Sequence, residues 1–291
     1  MKVLVTGGTG FIGPKVVHEL RAHGHPVRVL ARREQKVLDA EIAIGDVTDP
    51  ASLRAAIDGC THVVHLVAIL RGKPEDFDRV MKQGTKNLVA AAKQAGIERL
   101  VHMSALGTGD PAFANVPYFK AKAAMEAEVI GSGLEYTIFR PGFVFGKGAG
   151  ALSTFIGQVR APLPVVPIIG PGTERFQPIW VDDVAAYFAR AVTMPEAANR
   201  VFEIGGPDTV TWDELYRRIA QAVGKKRRFV HIPFSLAKAG AGATQRLPGA
   251  PLSTDQVAML QSDYLVSNSD AADTFKLELV PLEEQLRRAV A

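Results

Sequence analysis

Residues 2–13, Lys2-Val3-Leu4-Val5-Thr6-Gly7-Gly8-Thr9-Gly10-Phe11-Ile12-Gly13, constrain this chain more than any other stretch. Val3 to Thr6 are apolar or β-branched without alternation, the pattern of a short strand buried on both faces. A glycine-rich turn follows, and beyond it Val16, Val17 and Leu20 fall at helical spacing among polar residues. Strand, glycine turn and helix start in this order frame a dinucleotide fingerprint. Gly8-x-Gly10-x-x-Gly13 satisfies its spacing, and Gly7-x-x-Gly10-x-x-Gly13 a variant with a wider first gap. Glycines there permit a tight turn, bring backbone against a pyrophosphate and let the helix pack on the strand. N–H groups at the helix start then face the phosphates. The competing reading, a glycine-rich βα turn with no ligand, loses weight because the turn follows an N-terminal strand.

A length of 291 residues fits one large α/β domain or such a domain with a smaller lobe. The formal charge of +4 is modest and the basic residues are dispersed, so no nucleic-acid stripe is expected. Cys60 is the sole cysteine, which excludes an internal disulfide and fits a reducing compartment. No apolar run reaches the ~18 residues of a membrane span, and because residue 1 leads straight into a strand, no signal peptide is expected. A cytoplasmic protein is the expectation, with peripheral membrane contact as a variation on it. Oligomeric state is not legible.

Val27-Arg28-Val29-Leu30 reads as the second strand. An NAD site places an acidic residue ~20 positions beyond the glycines for the ribose 2′-hydroxyl. Here Arg32 and Arg33 come first, then Glu34. A guanidinium in that place pairs with a 2′-phosphate, which favours NADP(H) over NAD(H); two surface arginines at a strand end are the alternative. Glu41–Ile44 is a third strand, and Asp46 either accepts from an adenine amino group or caps a turn. His62–Ala68 is a fourth; its last residues, Leu66, Val67 and Ala68, let a cofactor ribose pass close. His65 reads as a packing residue, and no second ligand at metal spacing accompanies it, so no metal is expected. A long helix is expected from about Glu75 to Gln94, and Leu100–Met103 is a fifth strand closing at Ser104.

Strand and helix alternate to this point without a hairpin signal, which argues a parallel sheet with helices on both faces and ligands at the carboxyl ends of its strands. Tyr118 and Lys122 then fall four apart on one face of the next helix. A tyrosine at its ordinary pKa of ~10 is a poor acid–base group near neutrality; a neighbouring ammonium stabilises the phenolate. The bland alternative is a half-buried Tyr beside a surface Lys.

With these residues the chain resembles the extended short-chain dehydrogenase/reductases. The resemblance rests on Thr6-Gly7-Gly8-Thr9-Gly10-Phe11-Ile12-Gly13, Ser104, Tyr118-x-x-x-Lys122, Arg140-Pro141-Gly142-x-Val144-Phe145-Gly146 and Gln177–Ala185. More narrowly it is similar to the nucleotide-binding accessory subunit of respiratory complex I and its bacterial relatives, through Tyr118–Lys122, Val144–Lys147, Phe176-Gln177-Pro178 and 251–257. It implies catalysis by Ser104, Tyr118 and Lys122. It implies cofactor contacts from Gly7, Thr9, Gly10, Phe11, Ile12, Gly13, Arg32, Arg33, Asp46, Val47, Leu66, Val67, Ala68, Met103, Tyr118, Lys122, Pro141, Gly142 and Val144. Two departures stand out: a single Ser104 where the family often has a serine run, and Met81 where it often has asparagine before Gly84-Thr85.

From Gly146 to Gly172 the chain is rich in Gly, Pro and Ala, and its only charges are Lys147 and Arg160. Such a long insertion is expected to cover the substrate side. Its lack of charge favours an apolar ligand over a sugar nucleotide, whose diphosphate would need several cations. Gln177–Val181 reads as a returning strand, Asp182–Val192 as a helix, and Thr211 to Glu214 as a capping box. Lys225-Lys226-Arg227-Arg228 precedes apolar Phe229–Leu236, which suits either a solvated turn before an edge strand or contact with an anionic membrane surface.

The expected fold is a Rossmann-type, doubly wound parallel α/β sheet with a small C-terminal substrate lobe. Residues 1–146, with 175–205 returning, form the core; 147–174 and 206–291 form the lobe. Two function classes remain: an NADP(H)-dependent oxidoreductase or epimerase working by Tyr–Lys acid–base chemistry on a small apolar substrate, and a non-catalytic NADP(H)-binding module or respiratory accessory subunit.

Overall fold

The computed structural model describes residues 1–37, 40–148, 150–244 and 254–291; Pro251, Leu252 and Ser253 of the narrower resemblance lie outside them. The chain forms two compact units. The first comprises Met1–Pro141, Val181–Ile204 and Ser267–Glu278, the second Gly142–Trp180, Gly205–Val266 and Leu279–Ala291.

The first unit is built on seven strands: β1 (Val3–Thr6), β2 (Val27–Ala31), β3 (Glu41–Ile44), β4 (His62–His65), β5 (Arg99–Met103), β6 (Glu135–Pro141) and a last one, Arg200–Ile204. Their spatial order is Arg200–Ile204, β6, β5, β4, β1, β2, β3, and every pairing is parallel. The chain winds outward from β1 in one direction through β3, then crosses back and winds the other way from β4. The order therefore reverses beside β1, where such sheets open a crevice at their carboxyl ends.

Helices cover both faces. Alternation along β1 sends Leu4 into a core with Leu53, Leu88 and Val129. Those residues come from α2 (Pro50–Ile57), the helical run 74–94 and α5 (Pro117–Ile130). On the other face, α1 (Gly13–Ala22) pairs with α7 (Val181–Ala191), and Lys15 meets Asp182 at 2.8 Å. Phe139, Tyr187, Phe188, Phe202 and Phe275 fill the space beneath α7 and β6 with ring centroids 4.9 to 5.8 Å apart.

The helix expected over 75–94 is present with an interruption. α3 (Pro74–Phe77) leads into a π-helical segment, Asp78–Gln83, and then α4 (Gly84–Gln94). The wide turn changes the phase of the helix. Phe77 and Met81 before it pack against Ala121 and Met125 of α5, while Leu88 and Val89 after it face the sheet core.

In the second unit, α6 (Gly150–Arg160) and α8 (Trp212–Ala222) pack around Phe143, Phe155, Phe176, Trp212 and Tyr216. Thr211 caps α8, its hydroxyl accepting from the Glu214 N–H at 3.2 Å. Within Gln177–Val181 the strand is Ile179–Trp180, and it pairs with Val144–Phe145, outside the large sheet. Val165–Ile169 forms a strand beside Arg228–Ile232. Among the described residues no helix is long and apolar enough to cross a membrane.

Candidate functional site

The glycine turn joins β1 to α1 over residues 7–12. Gly7 takes φ +76°, in the left-handed region, and its carbonyl accepts from Gly10 N–H at 3.1 Å. The three glycines of the wider motif do different work. A Cβ on Gly7 would touch the Leu66 carbonyl carbon at 2.9 Å, and one on Gly13 would meet the Gly7 oxygen at 2.4 Å. These two serve close backbone packing. A Cβ on Gly10 would find only the Gly7 oxygen, at 3.4 Å, so the fold leaves that position open. Ile12 gives α1 no side-chain cap. An open, exposed Gly10 ahead of an uncapped helix start is a cradle that fits a pyrophosphate.

Other predicted contacts stand at the carboxyl ends of neighbouring strands. Arg32 and Arg33 follow β2 and are exposed. Asp46 follows β3; its Oδ1 accepts from the Thr48 N–H and hydroxyl, both at 2.8 Å, so one carboxylate oxygen is occupied by a turn. Val47 is buried, and its carbonyl accepts from Asn87 at 3.1 Å. Leu66, Val67 and Ala68 continue β4, and the Leu66 N–H donates to the Thr6 carbonyl at 3.0 Å. Pro141 ends β6 and accepts from the Leu106 N–H at 3.0 Å. Gly142 and Val144 belong to the second unit, where Val144 pairs with Ile179.

The Tyr118–Lys122 pair lies in the first two turns of α5. Lys122 is fully buried, and its ammonium donates to the Met103 carbonyl at the end of β5, 2.6 Å away. Its nitrogen sits 5.9 Å from the centre of the Tyr118 ring. Burial lowers its pKa to about 7, with Glu126 opposing the shift. Glu126 is itself held by Arg140 through two bonds, 2.9 and 2.7 Å. Tyr118 is half-buried and, like Ala68 and Ile69 beyond β4, packs against the cluster of Phe77, Met81, Ala121 and Met125; burial pushes its phenol above the usual value. Ser104 follows β5, buried, with its hydroxyl 3.1 Å from that of Thr108.

Beneath this surface lies a polar layer absent from the sequence reading. His65 stands between two threonines. Thr85 donates to the Met81 carbonyl at 2.6 Å, so its oxygen accepts from His65 Nε2 at 2.9 Å, and Nδ1 accepts from Thr6 at 2.6 Å. Those partners fix a neutral imidazole with the proton on Nε2. Burial, reinforced by the nearby Lys122 charge, lowers its pKa to about 3. His102 stacks on it at 5.2 Å, and burial holds this ring well below the ordinary imidazole range too. Thr108 could have been noticed four residues past Ser104; the His65 network could not, because it depends on β1 and β4 lying side by side. No cluster of three metal-ligating side chains occurs among the described residues.

A family model described as NAD(P)H-binding matches residues 7–160. The chain is 30% identical over 238 residues to a ceramide reductase of Caulobacter vibrioides, covering 79% of this chain and 73% of that protein. It is 29% identical to the mitochondrial NADH dehydrogenase [ubiquinone] 1 alpha subcomplex subunit 9 of Arabidopsis thaliana, over 95% of this chain and 73% of that one. Among solved structures, the UDP-glucose 4-epimerase of Thermotoga maritima superposes with a TM-score of 0.79 at 24% identity, covering 100% of this chain and 97% of the other. A parallel sheet that reverses at β1, a glycine cradle at its carboxyl edge and the family match over residues 7–160 together place this chain in the NAD(P)H-binding family, on the fold of the extended short-chain dehydrogenase/reductases.

Proposed function

We propose that the protein is an NADPH-dependent reductase of a carbonyl group on an apolar substrate, with Tyr118 as proton donor. The observation that carries this reading is Lys122, buried against the Met103 carbonyl beside the Tyr118 ring at the ends of β4 and β5. The cradle of residues 7–13 would hold a reduced nicotinamide dinucleotide, which would supply a hydride for the carbonyl carbon. The chain supplies the rest. Tyr118, protonated near neutrality, gives its proton to the carbonyl oxygen. A charged Lys122 stabilises the phenolate left behind. Ser104 orients the carbonyl with Thr108 as its hydroxyl partner. Arg32 and Arg33 select the 2′-phosphate.

Two observations support an apolar substrate. Residues 146–172 carry only Lys147 and Arg160, and the Arg160 guanidinium is engaged with the Val290 carbonyl at 2.9 Å. The name of the Caulobacter relative, a ceramide reductase, points the same way. The test is a screen of long-chain ketones, aldehydes, quinones and sugar nucleotides, read by NADPH absorbance. Oxidation with an apolar carbonyl compound or quinone is expected. Turnover confined to sugar nucleotides overturns the substrate class. Tight NADPH binding with no oxidation across the screen favours a non-catalytic, NADPH-holding module, the reading that similarity to the Arabidopsis respiratory subunit supports.

A further inference from the structure

The second unit carries a face that is at once apolar and basic. Among the described residues, Val165–Ile169 and Arg228–Ile232 pair only with each other, in parallel, as a two-stranded ribbon. Their alternation gives the ribbon two sides. Val166 and Ile168 are buried. Val165 and Pro167 point the other way, in register with Arg228 and Val230, and all four are exposed. Val165 is 39% exposed, Val230 50%, and Leu163, two residues ahead of the strand, 63%. Exposed Val165 and Val230 on the outward ribbon face are not what a merely solvated turn and edge strand require.

Cations gather at one end of this apolar strip. Lys225 and Lys226 are exposed in the turn that leads into Arg228. Arg227 is turned inward, its guanidinium donating to the Val159 and Ala161 carbonyls at 2.8 Å each, and so fixes the turn against the end of α6. Among the described residues, Lys225, Lys226 and Arg228 enter no ion pair. A protein partner covering this strip would desolvate three cations, at a cost unless acids met each of them. A lipid surface accepts the apolar strip and leaves the cations among headgroup phosphates.

We propose that the outward face of this ribbon, Leu163, Val165 and Val230 with Lys225, Lys226 and Arg228, rests on an anionic membrane surface. The proposal goes beyond the reductase reading and does not depend on it, since its test needs no substrate.

The test is flotation of the full chain with vesicles of phosphatidylcholine alone and with about one-third phosphatidylserine. Binding to the anionic vesicles is expected, and it should weaken more than tenfold at ~0.5 M salt, where screening shortens to a few ångströms. Each cation near such a surface is worth about fivefold in partition, so losing three costs roughly a hundredfold, and the reversal Lys225→Glu/Lys226→Glu/Arg228→Glu should lose at least that much. Leu163→Ser/Val230→Ser should remove the part that survives salt. NADPH affinity checks that each variant is folded, and should the triple charge reversal fail to fold, Lys225→Gln/Lys226→Gln reads the same effect in smaller steps. Wild-type protein that ignores anionic vesicles, as a face built for an acidic protein would, overturns the proposal. So does binding that neither set of variants changes.

Discussion

The glycine turn and the Tyr118–Lys122 helix stand at neighbouring ends of one sheet, yet they are built from opposite materials. The turn offers backbone: a left-handed Gly7, an open Gly10 and an uncapped helix start. It buries no charge, so holding a dinucleotide costs the fold little. The other region offers side chains. Thr6, His65, Thr85, His102 and Lys122 are all fully buried, in a layer that disfavours every charged form. Binding can thus be assembled from shape alone, whereas acid–base chemistry requires buried titratable groups that make stability depend on pH.

The sharpest way to break this division is Tyr118→Phe. If the turn binds and α5 reacts, turnover should fall by about a thousandfold or more while NADPH affinity changes less than about twofold, because the lost contact belongs to the reacting carbonyl. Calorimetry beside steady-state kinetics reads both. Turnover that survives removes Tyr118 from the mechanism. Lys122→Ala should damage turnover and binding together.

The next largest effect is on acid stability. His65 has a folded pKa of about 3 against an ordinary imidazole value of 6.5. Between those values the unfolded chain binds more protons, so stability is complete above about pH 6.5 and is lost as pH falls toward 3. The slope is at most roughly 1.4 kcal/mol per pH unit from this residue. His65→Gln keeps a donor and an acceptor for the two threonines and removes the titration. Urea unfolding at a series of pH values should show a shallower acid limb in the variant; superimposable limbs would remove His65 as a source of acid sensitivity.

How much of this could be read beforehand follows the same division. Gly7, Gly10 and Gly13 announce themselves by spacing, and Tyr118 and Lys122 by a helical interval, because both are local. The Thr6–His65–Thr85 network needs three segments brought together by strand order, so His65 read as a packing residue. The π segment Asp78–Gln83 has ordinary helical composition, and nothing in it marks the wide turn. Val165–Ile169 escaped notice because Pro167 sits within it and a proline demotes a strand to an edge, which is its place here. The seven-residue helix Ser269–Phe275 is too short for a periodic signal; what seats it is Phe275 among the rings of Phe139, Tyr187 and Phe202.

Within the turn itself, two glycines should separate fold from ligand. Gly13→Ala drives a Cβ into the Gly7 oxygen and should lower stability by about 1–3 kcal/mol. Gly10→Val meets only an ordinary contact with the Gly7 oxygen, so its melting should barely move while NADPH binding falls about a hundredfold. Normal binding by Gly10→Val would put the phosphates elsewhere.

The smallest expected effect concerns which dinucleotide the turn receives. Arg32 and Arg33 are both exposed beyond β2, so a 2′-phosphate bound there stays partly in water and the contact is screened. A charge-assisted bond is worth about 1.5–3 kcal/mol in favourable geometry, and exposure places this one at the low end, roughly tenfold in affinity. Arg32→Asp or Arg33→Asp should therefore weaken NADPH about tenfold and NADH hardly at all, with the larger loss marking the arginine that meets the phosphate. High salt should narrow the wild-type preference in the same direction, since it screens the phosphate contact and leaves the pyrophosphate cradle, made of backbone, largely untouched. Equal affinity of the unmodified protein for NADPH and NADH would show that these arginines are surface residues of a strand end. The cradle would then carry all of the binding.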